Sequence, residues 1–511
     1  MQREDYRNTL IVMAGLAAAT VSGFLREAVL AHQLGASRQT DIYLVAFAVP
    51  EFVFVALPIV LSPAFLPLFV RSQQANESSA RRFGLQTAGA LTLSLLAFTV
   101  IANWGAPLYL AWLAPGFNPV ELVQATQATR LMLPGITLMG LAVLAGTTLQ
   151  VYRRFARPAM ITGIYNLTFV LVLLTAPLAY GVARAAWGVS LGAAAALALQ
   201  VPLLWQVIHA ARERPDSHPL LGGARGERSC APSATVGELA RLAGPLAAGY
   251  AIHHLILFVD RAMATAMGGG CAATLNYAYR LALAVGQLSG LAVSTTLFPN
   301  LAGQIAAGDS AGARASLADA LRFTWMVGLA ASAGLIVLRV PLVSLLLERG
   351  AFDSAATAAV SQVLRWYALS VLADAVCQPL WRVIYAQRRA GTVIVVNGLQ
   401  TSLRLVGNIA LSRAFGYNGL AMAAALGLSV QAVVLAWLAW HCLGGYLSHR
   451  WWKDIALITL AAAAASAAVA VLNARLAAAP AWLTLLSCGT LGGGVYLSAL
   501  AILGYRNSLR N

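Results

Sequence analysis

Charged side chains that interrupt long apolar runs are the residues of this chain best suited to bind a ligand. A charge inside a membrane-spanning segment is costly, and it usually faces a protein interior or a water-filled cavity. Arginine outnumbers the acids in this set, and a guanidinium group holds phosphate oxygens in pairs. The set therefore predicts a site for an anionic, phosphate-bearing ligand. Its members are Arg26, Asp260, Arg261, Arg280, Asp374, Arg382 and Arg404.

The same charges have a second interpretation, in which they form ion pairs or reach the membrane surface and hold a helical bundle together. Asp260 beside Arg261, and Arg382 near the end of its apolar run, fit either interpretation. Arg26 and Arg280 lie deeper in their runs, one in each half of the chain, and this placement favours the ligand site.

The elements that carry these charges are predicted to be transmembrane helices. The chain has 511 residues, of which 59% are hydrophobic and 10% are charged, whereas a soluble domain is roughly 25% charged. Apolar runs of about 20 residues, long enough to cross a bilayer as a helix, recur along the whole chain. We predict an all-α polytopic membrane protein of about fourteen transmembrane helices.

Basic residues concentrate in alternate connections between the spans, which explains the net charge of +16 without nucleic acid as a partner. Connections of this kind face the cytoplasm. We therefore expect a multi-pass protein of the bacterial inner membrane with both termini in the cytoplasm. The basic residues of these connections are Arg71, Arg81, Arg82, Arg153, Arg154, Arg157, Arg212, Arg214, Arg225, Arg228, Arg388, Arg389, Arg450 and Lys453.

The two halves of the chain contain similar residues at a constant spacing. Arg26, Gly35 and Asp41 are matched 235 residues later by another Arg, a Gly and an Asn. Such a correspondence indicates two six-helix lobes in a parallel pseudo-repeat. The predicted division is a first lobe over 1–209, a cytoplasmic linker over 210–236, a second lobe over 237–445 and two C-terminal helices over 446–511.

The second predicted span contains Pro50, Pro58, Pro63 and Pro67. Each proline removes a helical hydrogen bond, so this span is either a bent gating helix or a statically kinked one.

Motifs of enzymes and metal sites are lacking in the sequence. It has no Walker A or HExxH pattern, and its five cysteines form no CxxC pair. We expect a transporter with no catalytic residue, no metal site and no cofactor.

Several short segments occur in a specific order and spacing along most of the chain. They are Gly23-Phe24-Leu25-Arg26-Glu27, Gly35-Ala36, Thr40-Asp41, Ala64-Phe65-Leu66-Pro67, Tyr277-Ala278-Tyr279-Arg280-Leu281, Leu297-Phe298-Pro299, Glu348-Arg349-Gly350-Ala351-Phe352 and Arg382-Val383-Ile384-Tyr385-Ala386. Together these segments resemble the MurJ/MviN family of lipid II flippases, part of the multidrug/oligosaccharidyl-lipid/polysaccharide exporter superfamily.

The resemblance implies two lobes around a central cationic cavity and alternating access driven by sodium, protons or the membrane potential. The substrate would be a polyprenyl-linked saccharide whose tail stays in the lipid bilayer, and cell-wall or polysaccharide synthesis proteins would be partners. Arg26 and Arg280 match cavity arginines of the family, and Asp41 matches its acidic residue at the start of the second span. By the same resemblance, Asp260 falls where some family members coordinate sodium. Arg261, Arg382 and Arg404 are further candidates for ion coupling or gating.

The chain departs from the family pattern at two cavity positions. The pattern expects arginines where this chain has Thr20 and, after Pro50-Glu51, Phe54. A cavity with two fewer positive charges should hold a pyrophosphate less tightly or take a different headgroup.

Three classes of function remain open from the sequence. The first is a flippase for an undecaprenyl-pyrophosphate-linked saccharide, with lipid II and an exopolysaccharide or O-antigen unit as competing substrates. The second is a cation-coupled drug exporter of the same superfamily, which the scarcity of intramembrane carboxylates disfavours. The third is a non-transporting scaffold or an O-antigen-type ligase, which the short outward connections disfavour.

Overall fold

A computed structural model describes residues 3–213, 234–296, 303–304, 308–386, 390–476 and 478–502. Within these ranges the regular structure is helical, and no strand forms. The all-α prediction is confirmed. Most of the predicted linker 210–236, together with Phe298 and Pro299, lies outside the described residues.

The chain divides into two compact units, Met1–Gly270 and Cys271–Asn511. The first unit contains a short 3-10 turn, Leu178–Tyr180, and nine α-helices among its described residues. These are α1 (Arg3–Leu34), α2 (Arg38–Ala75), α3 (Glu77–Leu113), α4 (Pro119–Met132), α5 (Pro134–Val151), α6 (Ala156–Ala159), α7 (Ile161–Thr175), α8 (Val182–Glu213) and α9 (Val236–Ala266).

The second unit contains seven further helices in the part that the structure describes. These are α10 (Cys271–Thr296), α11 (Ser310–Leu347), α12 (Ser354–Ala386), α13 (Ala390–Phe415), α14 (Tyr417–Leu443), α15 (His449–Arg475) and α16 (Ala481–Ile502).

The long helices occupy the predicted spans. Among the described residues, 11 helical stretches are long and apolar enough to cross a membrane, and one of these is α4 and α5 together. The helices α7, α10 and α12 occupy the other three predicted spans. The prediction of about fourteen transmembrane helices fits this arrangement.

The boundary between the units follows α9, which the sequence assigns to the second lobe. The lobe division at 209 and 237 therefore stays a prediction. The helix α2 continues from Arg38 to Ala75 through all four of its prolines, so none of them ends it. Its role in gating also stays a prediction.

Small residues allow helices of the first unit to pack closely. A Cβ atom at Gly188 would lie 2.9 Å from the Phe169 ring, and one at Gly192 would lie 2.8 Å from Tyr165. These glycines let α8 approach α7 at the level of two large aromatic side chains. Close approach through small residues is a main source of helix association where water does not drive burial.

The two C-terminal helices dock on α11 through polar contacts as well as apolar ones. Arg322 Nε of α11 lies 3.0 Å from Asp454 Oδ2 of α15, and the Asp454 side chain is only 6% exposed. Trp451 Nε1 donates to the Ala318 carbonyl at 3.2 Å, and the Tyr496 hydroxyl donates to the Met326 carbonyl at 2.9 Å. The helices α15 and α16 are therefore integral to the second unit.

Asp454→Ala should destabilise this unit strongly, because it leaves the half-buried Arg322 without its buried counter-charge. Loss of one partner of a buried ion pair costs about 3 kcal/mol or more. Thermal unfolding in detergent, followed by tryptophan fluorescence, measures the effect. Asp319→Ala is the matched control, since Asp319 contacts the same arginine but is 59% exposed, and it should cost under about 1 kcal/mol. Equal decreases in unfolding temperature for the two variants would contradict the docking role of Asp454.

Candidate functional site

Arg26, the first predicted ligand residue, lies in a polar and aromatic pocket between α1 and α7. Its guanidinium contacts Glu27 Oε1 at 2.8 Å and donates to Asn166 Oδ1 at 3.5 Å. The ring centroid of Phe169 lies 5.7 Å away, within cation–π range. The Arg26 side chain is 12% exposed. Arg26 is therefore a half-buried, oriented charge, and Glu27 supplies the carboxylate that compensates it.

An aromatic cluster continues from this pocket along α2. It consists of Tyr43, Phe47 and Phe54 of α2 with Tyr165 and Phe169 of α7. Neighbouring ring centroids are 5.7 to 6.0 Å apart. Phe54 packs edge-on against Phe47 and Tyr165. The family pattern expects an arginine at position 54. In this chain the Phe54 ring fills that position and completes an apolar cluster, so the structure needs no charge there.

Glu51 and Arg261 form an ion pair between α2 and α9 inside the first unit. The Glu51 side chain is 20% exposed and that of Arg261 is 18% exposed. Arg261 also donates to the Leu44 carbonyl at 3.1 Å. Phe52, the next residue of α2, packs against Tyr250 and Phe258 of α9. The pair therefore ties two packed helices together, which matches the bundle-holding interpretation of Arg261; its predicted part in gating or ion coupling stays a prediction.

Asp41 lies at the start of α2 and is fully buried. Its Oδ2 accepts a hydrogen bond of 2.6 Å from the Gly270 amide and lies 3.9 Å from Arg38. Gly270 has a φ of +81°, and a Cβ there would collide with the Ala36 carbonyl. Glycine is required at 270 for both reasons. The carboxylate of Asp41 is thus engaged with the backbone and with Arg38, and its predicted substrate role stays a prediction.

Arg38, the first residue of α2, brings together the α1–α2 connection and the connections that follow α3 and α9. Its Nε contacts Glu121 at 3.0 Å, and its guanidinium also donates to the carbonyls of Gly116, Thr265 and Gly268. Its charge lies 4.8 Å from the Phe117 ring. This role is not detectable from the sequence, because Arg38 is an isolated basic residue between two predicted spans. We call this network the Arg38 junction.

The remaining predicted residues lie on separate helices. Asp260 is half-buried on α9, next to Arg261. In the second unit, Arg280 of α10 and Arg404 of α13 are half-buried, whereas Arg382 of α12 is exposed. Asp374 of α12 is hydrogen-bonded to Gln378. The structure therefore brings Arg26 to Asn166 and Arg261 to Glu51, while Arg26 and Arg280 belong to different units.

The family model for the lipid II flippase MurJ matches residues 30–489. This chain belongs to the MurJ family. Among curated proteins, it is 28% identical over 450 residues to the probable lipid II flippase MurJ of Rhizobium meliloti (strain 1021), covering 86% of this chain and 80% of the relative. It is 26% identical over 438 residues to the lipid II flippase MurJ of Burkholderia cenocepacia, with 84% and 83% covered.

Solved structures agree with this membership at the level of the fold. A structure titled lipid II flippase MurJ, inward closed conformation, matches with a TM-score of 0.79 at 19% identity, covering 98% of this chain and all of the other. An inward-facing multidrug transporter of the MATE family matches with a TM-score of 0.65 at 12% identity, covering 83% and 94%. The chain therefore shares the fold of the exporter superfamily that the sequence motifs indicated.

Removal of the Glu51 carboxylate should destabilise the first unit, because the half-buried Arg261 would lose its counter-charge. We expect Glu51→Ala to lower the free energy of unfolding by about 3 kcal/mol. The exchange Glu51→Arg with Arg261→Glu should recover part of this loss.

The control is Arg71→Ala, which removes the Arg71–Glu238 pair between the same two helices, where both side chains are more than a third exposed. Its cost should stay below about 1 kcal/mol. Unfolding in detergent measures the stability of Glu51→Ala, of the charge exchange and of Arg71→Ala. A charge exchange no more stable than Glu51→Ala would contradict the assigned pair.

Proposed function

We propose that this chain is a flippase that moves lipid II, the undecaprenyl-pyrophosphate-linked precursor of peptidoglycan, from the inner to the outer leaflet of the inner membrane. The observation that carries this proposal is the match of the MurJ family model to residues 30–489. The half-buried Arg26, oriented by Glu27 and Asn166 beside an aromatic cluster, supplies the kind of charge that a pyrophosphate requires.

In this proposal Arg26 binds a phosphate of the headgroup, and Arg280 is a further phosphate-binding residue. Glu27 keeps the Arg26 guanidinium oriented before the ligand arrives, and a phosphate oxygen takes over part of that contact. Electrostatic contacts of this kind are strong because the aromatic cluster excludes water and lowers the local dielectric constant. The polyprenyl tail stays in the bilayer while the headgroup crosses.

Asp41 and the Arg38 junction are proposed to act in gating. They fasten the start of α2 to the connections that follow α3 and α9. Opening at this end would have to break the contact between Asp41 and the Gly270 amide. Ion coupling through Asp260, Arg382 or Arg404, with sodium, protons or the membrane potential as the driving force, belongs to the same proposal. The proposal also includes that both termini lie in the cytoplasm and that transport involves no catalytic step.

A flippase for a different polyprenyl-linked glycan is the second candidate, and one observation favours it. Phe54 fills an expected arginine position with a ring, and the nearby Glu51 is paired with Arg261. The α2 side of the pocket thus supplies no positive charge of its own at these positions. A headgroup held mainly by one guanidinium and by aromatic surfaces would suit such a site.

Complementation distinguishes the two candidates. A strain depleted of its own lipid II flippase should grow when this chain is expressed, and growth should be lost with Arg26→Ala or Arg280→Ala at equal membrane levels. Arg413→Ala is the control, because Arg413 is an exposed residue in the last turn of α13 and lies outside the proposed pocket.

Growth with both alanine variants would overturn the roles of the two arginines. Failure of the unaltered chain, despite normal insertion, would overturn lipid II as the substrate and favour another lipid-linked glycan.

A further inference from the structure

Two arginines lie on the adjacent helices α11 and α12 at similar distances from the end where these helices are connected. Arg339 lies about 12 Å along the axis from Leu347, the last residue of α11, and Arg365 lies about 16 Å from Ser354, the first residue of α12, at 1.5 Å per residue. Neither is near a helix end. Both therefore interrupt helices whose neighbouring residues are apolar.

The register of the helix pair turns both arginines toward the same seam. The Ser361 hydroxyl of α12 donates to the Arg339 carbonyl at 3.5 Å, and a Cβ at Gly328 of α11 would lie 3.2 Å from Leu372. Arg365 follows Ser361 by four residues and precedes Leu372 by seven, so the three share one face of α12. Arg365 is exposed at the edge of this seam, and Arg339 is half-buried.

The contacts of this pair include no carboxylate within the part of the chain that the structure describes. Arg339 donates to the Ile336 carbonyl of its own helix, and the Arg365 guanidinium lies 4.9 Å from the Trp366 ring centroid. Residues 336–347 and 354–373 contain no Asp or Glu. Asp374 is nine residues beyond Arg365 and lies on the opposite face of α12.

The two acidic residues between α11 and α12 already accept hydrogen bonds. Glu348 accepts a hydrogen bond from the Thr357 hydroxyl at 2.9 Å, and Asp353 accepts one from the Ala356 amide at 2.8 Å. The indole Nε1 of Trp366 is buried and has no hydrogen-bond partner among the described residues. The seam therefore offers positive charge without a matching carboxylate among the described residues.

The depth of the pair matches the level of lipid headgroups. The 33 residues of α12 span about 50 Å, about 20 Å more than the hydrocarbon core of a bilayer. With the excess shared between both ends, the Arg365 backbone lies only about 6 Å inside the core, which is within reach of an extended arginine side chain. A guanidinium in this position meets the phosphate layer.

We propose that Arg339 and Arg365 form a binding site for the phosphate of an acidic phospholipid, in the leaflet at the α11–α12 connection. The phosphate oxygens accept from both guanidinium groups, and the acyl chains lie along the exposed face of α12. This site goes beyond the proposed transport function and lies in the second unit alone. The pyrophosphate of a transported lipid has the same chemistry and is the competing source.

Native mass spectrometry of the full chain, titrated with phosphatidylglycerol, tests the site. The double variant Arg339→Gln with Arg365→Gln should weaken phosphatidylglycerol binding about tenfold or more, because two charge-assisted contacts are lost. The double lysine variant keeps both charges, so it should retain most of the binding. Arg413→Gln, an exposed arginine at the end of α13, should bind as the unaltered chain does, and phosphatidylcholine should bind all forms weakly.

Phosphatidylglycerol binding that is unchanged in the double glutamine variant, with thermal unfolding also unchanged, would overturn the site. If that variant instead loses binding of an undecaprenyl-pyrophosphate lipid and keeps that of phosphatidylglycerol, the phospholipid assignment is wrong. Equal losses in the lysine and glutamine variants would overturn the role of the charge. None of these outcomes depends on whether the chain complements a flippase-depleted strain.

Discussion

The constraint on which this structure depends is that a charge within an apolar helix bundle needs a partner. The ion pairs among the described residues give such charges a partner of opposite sign, and most of these pairs also join two helices. Arg261 and Glu51 join α9 to α2, and Arg322 joins α11 to α15 through Asp454. Arg38 and Glu121 join α2 to α4. Each of these pairs links two particular helices in one register.

Arg26 differs from these pairs, because its carboxylate partner is the adjacent residue on its own helix. The contact with Glu27 orients the guanidinium without tying α1 to another helix through an ion pair, and the contact with Asn166 is longer, at 3.5 Å. Such a group is held in place and can still exchange a partner. This combination suits ligand binding, whereas the Arg261 and Arg322 pairs suit structural stability.

The sequence predicted the helical architecture well, because a run of about 20 apolar residues has one stable form in a bilayer. It did not predict the partners of the charges. Whether Arg261 meets Glu51 depends on the register of two helices that are more than 200 residues apart in the chain, and apolar periodicity does not encode that register. The partners of Arg38, which lie on α4 and near the end of α9, were not predictable for the same reason. Arg339 and Arg365 were detectable as intramembrane charges, yet only the α11–α12 contacts show that they share a seam.

Reconstitution tests the central claim most directly. The purified chain is placed in liposomes that contain lipid II, with a membrane potential imposed, and the fraction of lipid II that becomes accessible to an enzyme added outside is measured over time. The account predicts that accessibility rises faster than in protein-free liposomes and that Arg26→Ala abolishes the difference. Accessibility equal to that of protein-free liposomes, in preparations where an established lipid II flippase is active, would contradict it.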